Sequence, residues 1–241
     1  MRFGQPRTHL ASCDSTNTVA RELAAEGAPG GAVVTADEQT AGRGRQGHSW
    51  FAPPGAALLY SAILRPLEPR HSLLPLAVPL AVCDAVEEVS DRDCLVKWPN
   101  DVWIGGRKCA GVLIEARPRD GWAVIGVGLN VSVADGEFPE ELRPHATSIG
   151  GGAGVEEALV ALNRSLGRWV ASGPGQILGA FADRDALAGR EIAWRGAAGA
   201  VPDGRGTAAG VDERGNLVVE AGGERLSLGA GEVSLGSPGA T

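Results

Sequence analysis

Apolar residues recur at helical spacing in four stretches of the chain. Val19, Ala20, Leu23 and Ala24 predict a helix that opens at Ser15-Thr16-Asn17, where hydroxyls and an amide can cap it, and stops at Gly27. Leu76, Leu80, Cys83 and Val86 predict a core helix over 73–89, although it contains Pro75 and Pro79, so Pro79 should delay or kink it. Leu159, Leu162, Leu166 and Val170 share one face of a helix over 156–171, and a shorter helix is expected over 176–187. Between these lie apolar runs of strand length at 9–15, 32–36, 57–64, 94–98, 109–117 and 122–131. The last two are joined through Asp120-Gly121, a hairpin signal. From Gly189 the texture changes to short apolar runs, 191–194, 206–211, 217–220 and 225–228, separated by Gly-rich turns. This spacing fits a small β-barrel.

Two features do not follow from core packing. Gly126, Gly128 and Asn130 interrupt the bulk of a strand, which marks close approach of a ligand or another backbone. Residues 42–50, Gly-Arg-Gly-Arg-Gln-Gly-His-Ser-Trp, combine three glycines with two planar guanidinium forks. They read either as an anion-binding loop or as a flexible basic turn.

Composition narrows the classes. With 241 residues the chain can hold one large domain, or one and a small one, and no run is apolar enough to span a membrane. A formal charge of −7 argues against a nucleic-acid scaffold, and the first residues lack the apolar core of a signal peptide; a cytoplasmic protein is expected. Cys13, Cys83, Cys94 and Cys109 have no metal-ligand spacing and read as buried thiols. All but two of the 22 basic residues are arginine. The two lysines, Lys97 and Lys108, stand eleven positions apart. Either those sites need a compact ammonium beside phosphate or carboxylate, or they are survivors of a compositional bias against lysine.

Taken in order, Ser15-Thr16-Asn17, Gln39, the Gly-Arg-Gly-Arg-Gln-Gly loop, Lys97-Trp98-Pro99-Asn100-Asp101, Arg107-Lys108-Cys109-Ala110-Gly111 and Gly126 to Asn130 resemble the biotin protein ligases, the biotin–[acetyl-CoA-carboxylase] ligase family. The resemblance implies an α+β fold: residues 1–188 as a class II synthetase-like catalytic domain, a central mixed β-sheet flanked by helices, and 189–241 as an SH3-like β-barrel with a short flexible tail. It implies ATP and biotin as substrates, Mg2+ as a helper, and a biotin carboxyl carrier domain as partner. Ser15, Thr16, Asn17 and Gln39 would then read the ureido ring, Gly42, Arg43, Gly44, Arg45 and Lys108 would hold the carboxylate end, and Gly111 would leave room. Arg43, Arg45, Trp50, Lys97, Asn100, Lys108 and Asn130 would serve ATP. Lys108, Arg45 and Asp101 would carry the chemistry, with Asp101 also the metal contact.

The loop would open without ligand and close over a water-sensitive intermediate. His48 stands where the family usually has Arg or Lys, and the pattern starts within the first fifteen residues, which points to the monofunctional form with no DNA partner, as monomer or homodimer. The rival readings are a lipoate or octanoate ligase of the same fold and a non-catalytic biotin-binding regulator.

Overall fold

Strand β3 (Ala57–Leu64) is buried at every position, which requires a sheet covered on both faces. In the computed structural model, which describes residues 1–196, 202–229 and 231–235, that sheet has seven strands. Besides β3 they are β1 (Arg7–Cys13), β2 (Val33–Gln39), β4 (Leu95–Lys97), β5 (Asp101–Ile104), β6 (Arg107–Arg117) and β7 (Trp122–Asn130). Their order is β1-β2-β3-β7-β6-β5-β4. Only β1 and β2 run parallel among these neighbours, so the sheet is mixed.

Alternation along β3 divides the core. Leu58, Tyr60, Ala62 and Leu64 join the cluster built with helix α2 (Leu74–Val89) and helix α3 (Val155–Ala171), whereas Ile63 packs with Ala20 and Ala24 of helix α1 (Thr16–Ala25) on the other face. Helix α4 (Pro174–Arg184) packs against α2. Helix α2 starts at Leu74 and carries Pro79 inside it, so the expected late start does not occur. Its residues are buried nearly all round, and this tertiary packing outweighs the lost hydrogen bond.

The periodicity misses β5. Its four residues, Asp-Val-Trp-Ile, look too short and polar-led for a strand, but Gly105 and Gly106, both at positive φ, turn the chain back to pair it with β6. No helix among the described residues is long and apolar enough to cross a membrane.

The C-terminal segment forms a second sheet from β8 (Glu191–Gly196), β9 (Gly204–Val211), β10 (Leu217–Ala221), β11 (Glu224–Leu228) and β12 (Gly231–Leu235), in the order β11-β10-β9-β8-β12. The expected barrel is not closed among the described residues. β11 is paired to β10 and β12 to β8, with no ladder between the two edge strands that would have to meet. The expected tail over 236–241 lies outside the described residues.

Trp98, just after β4, ties the two sheets together. Its ring is 3% exposed and its Nε1 donates to the carbonyl of Gly215 at 3.0 Å, in the turn between β9 and β10. A Trp98→Phe variant stays aromatic but loses the pyrrole part of the indole and leaves that carbonyl unpaired. It is expected to cost about 1–2 kcal/mol in urea unfolding, and an unchanged midpoint would show that the bond contributes nothing.

Candidate active site

The site is built on the sheet face that α1 leaves open. In strands β6 and β7 the positions pointing to this face include Gly111, Leu113 and Glu115, paired with Gly128, Gly126 and Val124. The glycines are the floor. A Cβ added at Gly126 would overlap Oδ1 of Asn17, and one at Gly128 would overlap the Trp50 indole. At Gly111 it would meet the Lys108 ammonium at 3.0 Å and the Trp50 ring at 3.1 Å. The strand glycines therefore mark close approach of neighbouring side chains above the sheet.

Lys108 reaches this face through an irregularity. It stands three positions before Gly111, which in a regular strand would place the two on opposite faces. The β5–β6 register slips between Val102 and Trp103: Val102 pairs with Ala110 and Trp103 with Lys108, leaving Cys109 as the extra residue. This bulge reverses the phase and re-aims Lys108. Its backbone is clamped from outside the β5 ladder, with Lys108 N–H donating to His145 O at 2.7 Å and Thr147 N–H donating to Lys108 O at 2.9 Å. The Lys108 Nζ then lies 2.7 Å from Asp101 Oδ1 and 5.6 Å from the Trp50 ring centroid. Asp101 itself pairs with Lys97 on one side and Gly111 on the other.

The N-terminus of α1 forms the opposite end. Ser15, Thr16 and Asn17 are all buried, although Ser15 makes no side-chain cap. Gln39, at the end of β2, accepts from both the N–H and the hydroxyl of Thr16 through Oε1, at 2.8 and 2.9 Å. Ser61 on β3 contacts Thr16 Oγ1 at 2.8 Å and Asn17 Oδ1 at 2.6 Å. Carbonyl oxygens only accept, so two hydroxyl protons must serve three oxygen–oxygen contacts. The cluster is short of donors, and a ligand that supplies N–H groups would complete it.

Residues 42–50 fold into a small hairpin over the floor. Arg43 bridges to Ser49, Gly44 N–H donates to His48 O at 2.6 Å and Trp50 N–H donates to Gly42 O at 2.9 Å. The tip turns at Gln46 and Gly47, with φ of 53° and 82°. Arg45 Nη1 lies 3.4 Å from Asn100 Oδ1, and Asn100 is itself fixed by donating Nδ2 to Val112 O at 2.8 Å. Arg43 Nη2 reaches Thr18 Oγ1 at 3.2 Å and Glu115 Oε2 at 3.4 Å.

These parts enclose a cavity of about 880 Å3 lined by Ser15, Thr16, Asn17, Gln39, Arg43, Gly44, Arg45, His48, Trp50, Lys97, Asn100, Asp101, Lys108 and Gly111. Two of the sequence-chosen residues stand apart. Gly42 is outside the lining and serves the hairpin's base, where a Cβ would meet Trp50 O at 2.7 Å. Asn130 is also outside it, buried, donating Nδ2 to Thr147 O at 3.0 Å while its Oδ1 has no partner among the described residues. Sequence reasoning missed Ser61 and Glu115, and it missed Trp194, Arg195, Asp203 and Arg205, which the C-terminal segment brings to the rim. The alternation of β3 put Ser61 on the site face, but nothing local links residues 193–205 to the loop.

Tyr60, next to Ser61 on β3, turns its phenol away from the site into the core built with α2 and α3. Burial pushes its phenol above the usual range, so it stays neutral and donates to Asn163 Oδ1 at 2.9 Å. Cys83, Cys94 and Cys109 are buried as expected, whereas Cys13 is half-buried. No group of three His, Cys, Asp or Glu side chains among the described residues could hold a metal ion.

Known proteins similar to this chain share one description, that of a ligase. Residues 10–132 match the model of the biotin/lipoate A/B protein ligase family, and residues 189–236 match the biotin protein ligase C terminal domain. The chain is 38% identical over 157 residues to the bifunctional ligase/repressor BirA of Bacillus subtilis, covering 63% of this chain and 48% of that protein, so the match spans about half of that relative's length. It is 35% identical over 243 residues to the biotin--[acetyl-CoA-carboxylase] ligase of Mycobacterium tuberculosis, covering 93% of this chain and 86% of the relative. The biotin protein ligase from Aquifex aeolicus, solved in complex with biotin and ATP, superposes with a TM-score of 0.83 at 27% identity and covers 98% of this chain and 100% of its own. With residues 10–132 and 189–236 matched by two models of one family and most of the chain covered by a relative of the same kind, the chain belongs to the biotin/lipoate A/B protein ligase family, among its biotin protein ligases.

Proposed function

We propose that this protein is an ATP-dependent ligase that activates biotin as biotinyl-5′-adenylate and transfers it to a lysine of a biotin carboxyl carrier domain in the cytoplasm. The observation that carries the proposal is the polarity of one cavity. A donor-poor cluster at Thr16, Asn17, Gln39 and Ser61 suits the ureido ring, Lys108 and Arg45 stand at the other end beside Asp101 and Asn100, where two anions would meet, and Arg43 reaches from the loop to Thr18 and Glu115. In the first step a biotin carboxylate oxygen attacks the α-phosphorus and pyrophosphate leaves. In the second the carrier's amine attacks the acyl carbon and AMP leaves. Lys108 and the loop arginines stabilise charge that builds on the transferring phosphoryl group.

Lys97 and Asn100 would stand towards the nucleotide, and Asn130, buried outside the cavity lining, would take the adenine amino group only if its unpartnered Oδ1 became exposed to the cavity. Trp50 forms the wall between them. A magnesium ion arriving with the nucleotide, to neutralise phosphate charge, would take Asp101, because such ions use one or two carboxylates plus phosphate and water. Asp101 would exchange its contact with Lys108 for that ligand. We assign residues 1–188 to the catalytic domain and 189–241 to the C-terminal domain.

The same donor shortage disfavours a lipoate or octanoate ligase, whose aliphatic substrate offers no N–H. The test is ATP-dependent transfer of biotin to an apo carrier domain, read with streptavidin. Absence of transfer by the native chain would overturn the reading. An Arg45→Gly variant is expected to release adenylate and label bystander lysines, since it loosens the loop where it meets Asn100. Labelling confined to the carrier would argue against a retention role for Arg45.

A further inference from the structure

Glu115 has no part in the chemistry above, yet three side chains from two elements of the site converge on it. It sits on the site face of β6, with a side chain 21% exposed. Its Oε2 accepts from Asn17 Nδ2 at 2.8 Å and lies 3.4 Å from Arg43 Nη2, while Oε1 lies 3.2 Å from Arg21 Nη1. Asn17 and Arg21 belong to α1, and Arg43 belongs to the loop.

The chemistry of these partners is restrictive. A carboxylate and the Leu113 carbonyl, which lies 3.3 Å from Asn17 Nδ2, are both acceptors only. Together they force the Asn17 amide to turn its nitrogen to β6 and its Oδ1 to Ser61 and the cavity. The same oxygen that orients the amide also attracts Arg43. Both side-chain contacts of Arg43 among the described residues run through Nη2, to Glu115 and to Thr18. The other donors of the fork remain for a ligand anion.

We propose that Glu115 is a positioning residue that couples occupancy of the ureido end to closure of the 42–50 loop. Fixing Asn17 fixes the carboxylate, and the fixed carboxylate holds Arg43 down. By linkage, closing the loop strengthens biotin binding by the same factor. This rests on the assignment of the cavity to biotin, so biotin binding by the native chain is measured first.

The experiment compares native protein with Glu115→Gln, which keeps the shape and removes the charge. Biotin is expected to dissociate about tenfold faster, as for loss of one hydrogen bond to a charged group. Biotin should no longer slow hydrogen exchange across 42–50, while ATP affinity without biotin and the thermal midpoint should stay near native. A merely structural role would move the midpoint and both ligands together, and would overturn the proposal. Native dissociation and native loop protection in Glu115→Gln would also overturn it. If that variant does not fold, Glu115→Asp keeps the charge beside Arg21 but shortens the reach, and the same two readouts apply. A native chain that fails to bind biotin would overturn both the site reading and this coupling; native binding with an unaltered variant would overturn the coupling alone.

Discussion

Replacing Lys108 by alanine is expected to slow biotin transfer by about 10²- to 10³-fold, the usual cost of removing one preorganised group from a developing charge. The fold should survive the change. The Lys108 side chain is 34% exposed, and its ion pair with Asp101 is of a kind that contributes about 1 kcal/mol or less. The loss should appear in the adenylation half-reaction, measured by ATP–pyrophosphate exchange, because that step brings carboxylate and phosphate together. Lys108→Arg should not restore it. A guanidinium spreads the charge over a plane and does not reproduce the compact ammonium that lies 2.7 Å from Asp101 Oδ1 and 5.6 Å from the Trp50 ring centroid. Native exchange rates in Lys108→Ala would remove Lys108 from the mechanism.

Gly126→Ala is the second large expected effect, and it separates the two ends of the cavity. The new methyl group would overlap Asn17 Oδ1, and the backbone has little freedom to retreat because β7 is paired to β3 on one side and β6 on the other. Asn17 is held by Ser61, Leu113 and Glu115, so it cannot step aside without breaking those bonds. Overpacking of this kind typically costs about 1–3 kcal/mol, which corresponds to about 5- to 150-fold in biotin affinity. Calorimetric titration with ATP alone should remain close to native. Equal losses for both ligands would mean that the strand itself had shifted.

Much of this was legible in the chain. Helical spacing located α1, α2 and α3 within a few residues, and the unbroken apolar run over 57–64 marked a strand inside the sheet. Three glycines and two arginines in nine residues, and two lysines in an arginine-rich chain, pointed to an anion site because those residue types do something that a packed core does not need. These are local properties, written in residue type and spacing.

Other features depend on partners distant in sequence. Glu115 reads as an ordinary charge near the end of a strand until Asn17, 98 positions away, is folded against it. Arg195 and Arg205 reach the cavity only when the C-terminal sheet is placed at its rim, and that sheet is open among the described residues although its spacing suggested closure. The decisive case is Lys108. Its residue type was informative from the start, but strict alternation from Gly111 would have turned it to the opposite face, into the core. The bulge at Cys109, held by backbone bonds to residues 145–147, reverses that phase and sets the ammonium beside Asp101. Residue type settled which groups were available to this site. Strand register, a long-range property fixed by pairing and packing, decided which of them face one another.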